Sequence, residues 1–436
     1  MGMRTKKIRV GLIGLGTVGT GVFNILTKKR QMILDNFGID FEIRGVCVKS
    51  TKKKRRVKLD GVRLVTRPDE LLDDPDIDQI VELMGGVAEA YRIACKAVSL
   101  RKDFVSANKA LFAERGTSIY RETQKSGAHI GIEASVCGAI PVLKAVKEGL
   151  GANRIQSLCG ILNGTCNYIL TQMSQSQISY ADALKAAQEK GYAEQNPRLD
   201  VDGIDTAHKL AILARLAFKH EIDVRKIYCE GIRHVDSEDI GYAKDLGYSI
   251  KLVAIAKKEN DLLDLRVHPV LINDSHPLSN VHGVYNAVWL RGDESGPVLF
   301  YGKGAGERPT ASAVVSDMID IARLSSIKTS SREHIYSVAQ LVPIDQIQSR
   351  YYLRFQVEDR PGVMGALTQM LGKNHISLSS VHQKETRHAK SVAVVILTHR
   401  VLEKSVKSAL KQISRSGIVR VKPVLLRVED VEDEPS

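Results

Sequence analysis

A chain of 436 residues, 43% of them hydrophobic, is long enough to bury two or three separate cores. No apolar run approaches the roughly 20 residues of a membrane helix, and Met1 to Lys7 leads into a strand rather than a signal peptide, so a cytoplasmic protein without a membrane partner is expected. The formal net charge of +13 invites a nucleic-acid partner, but much of the excess is local to Lys49, Lys52 to Arg56 and Lys58, and no nucleic-acid binding is expected. The six cysteines, at 47, 95, 137, 159, 166 and 229, show neither Cys-x-x-Cys nor zinc spacing and read as reduced thiols.

Ile8 to Ile13 reads as a strand, and Gly14-Leu15-Gly16-Thr17-Val18-Gly19 opens a helix through Leu26. This is Gly-x-Gly-x-x-Gly between a strand and a helix, where glycines let the backbone turn tightly and approach a pyrophosphate at the helix N-terminus. A dinucleotide held by Gly14, Gly16, Thr17, Val18 and Gly19 follows. The second strand, Phe41 to Val48, ends not on the acid that would accept from ribose hydroxyls but on Lys49 and Ser50, which favours NADP and leaves NAD possible. Gln79 to Gly86 is a further strand, with Met84 and Gly85 at its C-terminal end, where ligands gather. A helix from Ala88 to Ser99 returns to Phe104 to Lys109, and this alternation predicts an α/β fold with a mainly parallel sheet and right-handed crossovers. Lys109 lies at another strand end. Ile130 to Pro141 reads as a strand running into a loop, with Glu133 able to cap the next helix.

Ile155 to Leu162 reads as a strand, and Asn163-Gly164-Thr165-Cys166-Asn167-Tyr168 then caps a helix whose free amides suit a carboxylate. Tyr180 to Lys190 is helical. The next twenty residues, Gly191 to Leu210, hold Glu194, Asp200, Asp202 and Asp205 with Lys209. If a helix begins near Gly203, Asp205 and Lys209 share a face. The apolar residues from Leu210 onward bury Lys209 in part, the setting in which a lysine can be tuned for acid/base work. Glu194, Asp200 and Asp205 suit a substrate ammonium group.

Gly191-Tyr192-Ala193-Glu194, Asn196-Pro197, Asp200-Val201-Asp202-Gly203-Ile204-Asp205 and Lys209 together resemble the signature of the homoserine dehydrogenases. The resemblance implies reversible, NAD(P)H-dependent reduction of L-aspartate 4-semialdehyde to L-homoserine. It makes Lys209 the general acid/base and Lys109, in an Asn-Lys pair, a second catalytic lysine facing cofactor and substrate. Glu194, Asp200 and Asp205 then hold the substrate or orient Lys209, with Thr165 on its carboxylate and Tyr192 beside them. Gly191 and Gly306 become cofactor contacts. Glu133, with the carbonyls of Val136, Gly138 and Ile140, becomes a site for a monovalent cation, Na+ or K+. A homo-oligomer, dimer or tetramer, is also implied.

Ile250 to Val298 alternates strand and turn, as an open and mostly antiparallel sheet would, and His268, His276 and His282 lack metal spacing. Leu299 to Thr310 is glycine-rich without the Walker spacing. Beyond Ser325 to Ile347, read as a linker, strands and helices follow in a strand-helix-strand-strand-helix-strand order, and Asp359-Arg360-Pro361-Gly362-Val363 is similar to the ACT domains. Such a domain makes threonine a possible effector. The expected organisation is a Rossmann-type dinucleotide-binding domain over 1–137 and 300–325, an α+β substrate and dimerisation domain over 138–299, a linker over 326–349, a ferredoxin-like ACT domain over 350–428, and a disordered acidic tail over 429–436. The alternatives are an amino-acid- and cofactor-sensing regulatory protein without catalysis, or a semialdehyde dehydrogenase with a cysteine nucleophile, for which the chain offers no evident base.

Overall fold

The computed structural model describes residues 5–52, 55–324, 337–383 and 391–430. Lys53 and Lys54 of the basic run, residues 325–336 of the expected linker and the last six residues lie outside them. The chain forms two compact units, one of residues 1–155, 208–225 and 285–339, the other of 156–207, 226–284 and 340–436. The segment 138–299 is therefore shared between the units. Among the described residues no helix is long and apolar enough to cross a membrane.

The first unit opens with β1 (Lys6–Ile13), α1 (Thr17–Lys28), α2 (Arg30–Phe37), β2 (Ile39–Cys47), β3 (Arg63–Val65), α3 (Asp69–Leu72) and β4 (Gln79–Glu82). It continues through α4 (Ala88–Ser99), β5 (Asp103–Ser106), α5 (Lys109–Ser126), β6 (Ile130–Gly131) and the short α6 (Val142–Lys144). The six strands pair in parallel in the order β3-β2-β1-β4-β5-β6. That order reverses between β1 and β4, the switch point at which doubly wound sheets bind ligands. Strands covered on both faces lose the apolar-polar alternation, as β4 shows with all four residues buried. The expected strand from Ile130 is corrected: β6 has two residues, and a 3-10 turn from Glu133 to Ser135 follows because the chain there bends to present Glu133 to α6.

The second unit begins with β7 (Ile155–Ile161), α7 (Gly164–Ser176), α8 (Tyr180–Glu189), the single turn α9 (Arg198–Val201) and α10 (Ile204–Phe218), whose residues from His208 on belong to the first unit. Then come β8 (Tyr228–Cys229), α11 (Ser237–Asp245), β9 (Tyr248–Glu259) and β10 (Leu262–Asn273). The β9–β10 hairpin turns at Asn260, φ 55°, a residue type that tolerates the left-handed region. The hairpin β11 (Tyr285–Gly292) and β12 (Gly296–Lys303), with α12 (Glu307–Leu324), returns to the first unit, where Val314 and Met318 join the core of Val10, Leu12, Val22 and Leu26.

The chain ends in the second unit with β13 (Gln348–Glu358), α13 (Val363–Lys373), β14 (Leu378–Gln383), β15 (Ser391–Thr398), β16 (Val401–Leu402), α14 (Glu403–Arg415) and β17 (Val424–Val428). On β13, Tyr351, Leu353, Phe355 and Val357 face the buried sides of α13 and α14, including Leu367, Leu371, Val406 and Ile413. The other face meets α11: the Tyr352 hydroxyl donates to Asp239 at 2.9 Å, and Arg354 donates to both oxygens of the same carboxylate at 2.6 and 2.9 Å. This module does not end in its own edge. Its last strand, β17, pairs in parallel with β10 at Val270 and Leu271, giving one sheet in the order β7-β9-β10-β17-β13-β15-β14.

The expected tail is corrected here. Glu429 is buried, its amide donates to the Leu271 carbonyl at 2.9 Å, and its carboxylate pairs with Lys257 and Arg266. Asp430 pairs with Arg350 at 3.1 Å. These partners lie far off in sequence, so Glu429 and Asp430 look solvated until the fold delivers their counter-charges. Arg427 forms the centre of the same seam. Its guanidinium donates to Glu403 (Nε at 2.8 Å), to Glu230 at 3.0 Å and to the Tyr228 hydroxyl at 3.2 Å. His268, fully buried, has a structural role: its Nε2 accepts from Arg266 at 3.1 Å, so its Nδ1 is left to donate to the Pro269 carbonyl. Burial, and then the cations Arg427 and Arg266, hold this imidazole well below its ordinary range and keep it neutral.

Candidate functional site

At the switch point β1 ends in a cavity of about 720 Å³, lined among others by Gly14, Gly16, Thr17, Lys49, Met84 and Gly85. Gly14 has φ 100°, which a side chain would resist. A Cβ on Gly19 would stand 2.1 Å from the Gly14 carbonyl oxygen, so the loop closes only because Gly19 has none. Gly16, by contrast, faces open space, and α1 starts without a side-chain cap or an acid in its first turn. Its first amides are thus available to an anion. Open space over Gly16 and uncapped amides fit the pyrophosphate of a dinucleotide. Val18, Gly19 and Gly306 lie outside the lining: Gly19 acts through packing, and Gly306, φ 119°, turns the chain into α12. Glu307, next to it, does line the cavity, as do Arg55 and Arg56. A Gly19→Ala substitution must open the loop, and we expect the Kd for NADPH, read by fluorescence titration, to rise about tenfold or more. An unchanged Kd would show that the loop is not the cofactor's support.

The second unit assembles the carboxylates. Asn163 caps α7, its Oδ1 accepting from the Cys166 amide at 2.8 Å. Its Nδ2 donates to Asp200 at 2.7 Å and to Asp205 at 2.9 Å, so one side-chain amide bridges two acids from α9 and α10. Asn163 is expected only as a cap and the bridge is not; its signal in the sequence is that an asparagine capping through its oxygen keeps two amide hydrogens that still need acceptors. Asp205 is 4% exposed, Asp200 more open, and Gly203, φ 82°, makes the turn between their helices. Lys209 follows Asp205 by one turn of α10 and is 8% exposed, with Leu210, Ala211 and Leu213 buried beyond it. Thr165, expected to donate to a substrate carboxylate, donates instead to the Tyr192 carbonyl at 2.8 Å. Tyr192 meets Tyr168 edge-on at 5.0 Å, and Gln188 holds the Glu194 carbonyl at 3.1 Å while Glu194 itself is exposed. Gly191, φ 72°, starts that loop.

In the first unit Lys109 is the first residue of α5, capped by Asn108, whose Oδ1 accepts from the Leu111 amide at 3.1 Å. Glu133 does cap its helix: its two carboxylate oxygens accept from the amides of Leu143 at 2.9 Å and Lys144 at 2.8 Å. Burial pushes this carboxyl up to about 7 against those amides. The side chain is thus engaged, and a cation at this loop would rely on main-chain oxygens. Of these, the Ile140 carbonyl already accepts from Val142 at 2.8 Å, and Gly138 has φ 53°. Among the described residues no group of three His, Cys, Asp or Glu could hold a metal.

Family models match along most of the chain: the homoserine dehydrogenase NAD-binding domain over residues 14–133, homoserine dehydrogenase over 141–319 and the ACT domain over 351–415. The homoserine dehydrogenase of Helicobacter pylori is 44% identical over 98% of this chain and all of its own length. The chain belongs to the homoserine dehydrogenase family. A crystal structure of a homoserine dehydrogenase from Thiobacillus denitrificans, 39% identical, superposes with a TM-score of 0.93 over 99% of this chain and 100% of that one. A hyperthermophilic archaeal homoserine dehydrogenase solved in complex with NADPH, 25% identical, matches with a TM-score of 0.62 over 73% of this chain and 98% of its own. As a homoserine dehydrogenase the protein is an oxidoreductase acting on a CH–OH group, interconverting L-homoserine and L-aspartate 4-semialdehyde with a nicotinamide cofactor. The reading as a regulator without catalysis falls away.

Proposed function

We propose that this homoserine dehydrogenase works with Lys209 as the acid/base and Lys109 as the stabiliser of negative charge on the substrate oxygen. The observation that carries the reading is the acid pair Asp200 and Asp205, bridged by Asn163, with Asp205 one helical turn before the buried Lys209. The bound dinucleotide supplies the hydride to the aldehyde carbon. Lys209 then delivers a proton to the resulting oxygen, while the Lys109 ammonium lowers the cost of the charge that develops there. Asp205 and Glu194 hold the substrate ammonium, Asp200 orients the pair through Asn163, and the amides at the start of α7 receive the substrate carboxylate in place of the Thr165 hydroxyl. Tyr192 and Gly191 shape the loop around them.

The preferred cofactor is NADP, with Lys49, Arg55 and Arg56 at the cavity supplying positive charge where the 2′-phosphate would lie; the NADPH-bound archaeal relative supports this. Removing one of these charges gives a test. For Lys49→Ala we expect KM for NADPH to rise about tenfold, equivalent to about 1.4 kcal/mol, with KM for NADH little changed. Equal changes for both cofactors would remove Lys49 from phosphate recognition.

The protein acts in the cytoplasm as a homo-oligomer. Threonine is the candidate effector of the ACT module, and a monovalent cation is held by main-chain carbonyls of Glu133, Val136, Gly138 and Ile140. Threonine inhibition curves, and rates measured in sodium, potassium and tetramethylammonium chloride, test these two readings.

A further inference from the structure

Glu82 ends β4 with its side chain fully buried, the one charged residue of a strand whose four residues, Gln79 to Glu82, are all buried. A carboxyl there costs solvation, so its partners matter. One oxygen accepts from the Met84 amide at 2.7 Å and the other from the Ser106 hydroxyl at 2.7 Å. Ser106, at the end of β5, accepts in turn from the Asn108 amide at 3.0 Å. The Asn108 side chain donates to the Gly86 carbonyl at 2.7 Å, and its oxygen caps the helix that Lys109 begins. The bonds close a ring: Glu82 to the 84–86 loop, the loop to Asn108, Asn108 to Ser106, and Ser106 back to Glu82. A carboxyl that only tied β4 to β5 would need Ser106 alone.

We infer that Glu82 is a positioning residue, fixing the loop of Met84 and Gly85, which lines the cofactor cavity, against the turn that carries Lys109. This rests on the catalytic reading of Lys109 given above. A ring of short polar bonds with no free end leaves little slack, and a misplacement of about 1 Å at a reacting group can cost about a hundredfold in rate. Burial pushes the Glu82 carboxyl up to about 7, and no cation is among the groups that shift it. In either protonation state it can satisfy Ser106, as acceptor or as donor, with the ring intact.

The test is a set of kcat measurements, normalised by NADPH titration of folded sites, on Glu82→Ala, Glu82→Gln and Ser106→Ala, each alone and with Lys109→Ala. We expect Glu82→Ala and Ser106→Ala to lower kcat by about 10- to 100-fold, and Glu82→Gln, whose amide can accept from Met84 and donate to Ser106, to keep it within about threefold of wild type. In the Lys109→Ala background the Ser106→Ala change should have almost no further effect, because what it misplaces is already gone. Unchanged kcat in Ser106→Ala, or an equal loss with and without Lys109, overturns the positioning role and leaves Lys109 as assigned. Full kcat in Lys109→Ala alone overturns the assignment of Lys109 and the positioning role together.

Discussion

Replacing Lys209 by alanine should lower kcat for semialdehyde reduction by about a hundred- to ten-thousand-fold, the range for loss of a general acid, while the folded enzyme still binds NADPH. The side chain is 8% exposed and stands one turn beyond Asp205, whose own carboxylate is bound by Asn163. A lysine placed there only to balance charge would, on removal, leave Asp205 destabilised and chiefly weaken substrate binding. The two roles separate in the kinetics: loss of acid catalysis lowers kcat and kcat/KM together, whereas loss of ground-state binding raises KM alone. Direction of reaction adds a second test. Homoserine oxidation needs the neutral amine to take the hydroxyl proton, so its rate should climb from neutral to alkaline pH, and this climb should vanish in Lys209→Ala. A kcat within threefold of wild type would remove Lys209 from the chemistry.

The largest expected effect on stability is at Arg427, whose side chain is 2% exposed and lies on the fully buried Glu403. Arg427→Leu leaves the Glu403 carboxylate with the Tyr351 hydroxyl, at 3.1 Å, and an exposed lysine, Lys407, at 3.4 Å. Breaking one side of such a pair costs about 3–5 kcal/mol, because the other charge stays buried. Removing both sides is another matter. A double variant, Arg427→Met with Glu403→Gln, should recover most of the loss, since an uncharged pair carries no such desolvation cost. Trp289 is the one tryptophan and lies in the first unit, so urea unfolding is best followed by far-UV circular dichroism. If Arg427→Leu unfolds at the wild-type midpoint, the guanidinium contributes geometry without net stability.

Much of the fold can be read from short-range pattern. The spacing of Gly14, Gly16 and Gly19, the helix from Ala88 to Ser99 and the alternation of Tyr351, Leu353, Phe355 and Val357 all follow from local periodicity and backbone sterics. The family resemblance around Gly191 to Lys209 added roles that periodicity could not supply. What escaped was long-range. Asn163 finds Asp200 and Asp205 only after 37 and 42 residues, and Glu429 meets Lys257 after 172. Polarity in a sequence cannot distinguish a solvated charge from a buried and partnered one. For the same reason nothing in the run from Gln79 to Gly86 marks Glu82 as buried and partnered, and Glu133 is legible as a helix cap only as one of two readings.

The pairing of β17 with β10 has a practical meaning for anyone recombining this enzyme. All but the end residues of β10 are buried, and on one side their backbone groups at Val270 and Leu271 are met by the C-terminal strand. A truncation near residue 350 would uncover that edge, with Arg266 stripped of Glu429, and exposed apolar edges recruit other chains. Grafting a foreign sensor module onto this scaffold therefore demands a replacement last strand that docks in register, carrying one acid and one guanidinium. A flexible tether would not do, because the junction is woven into the sheet.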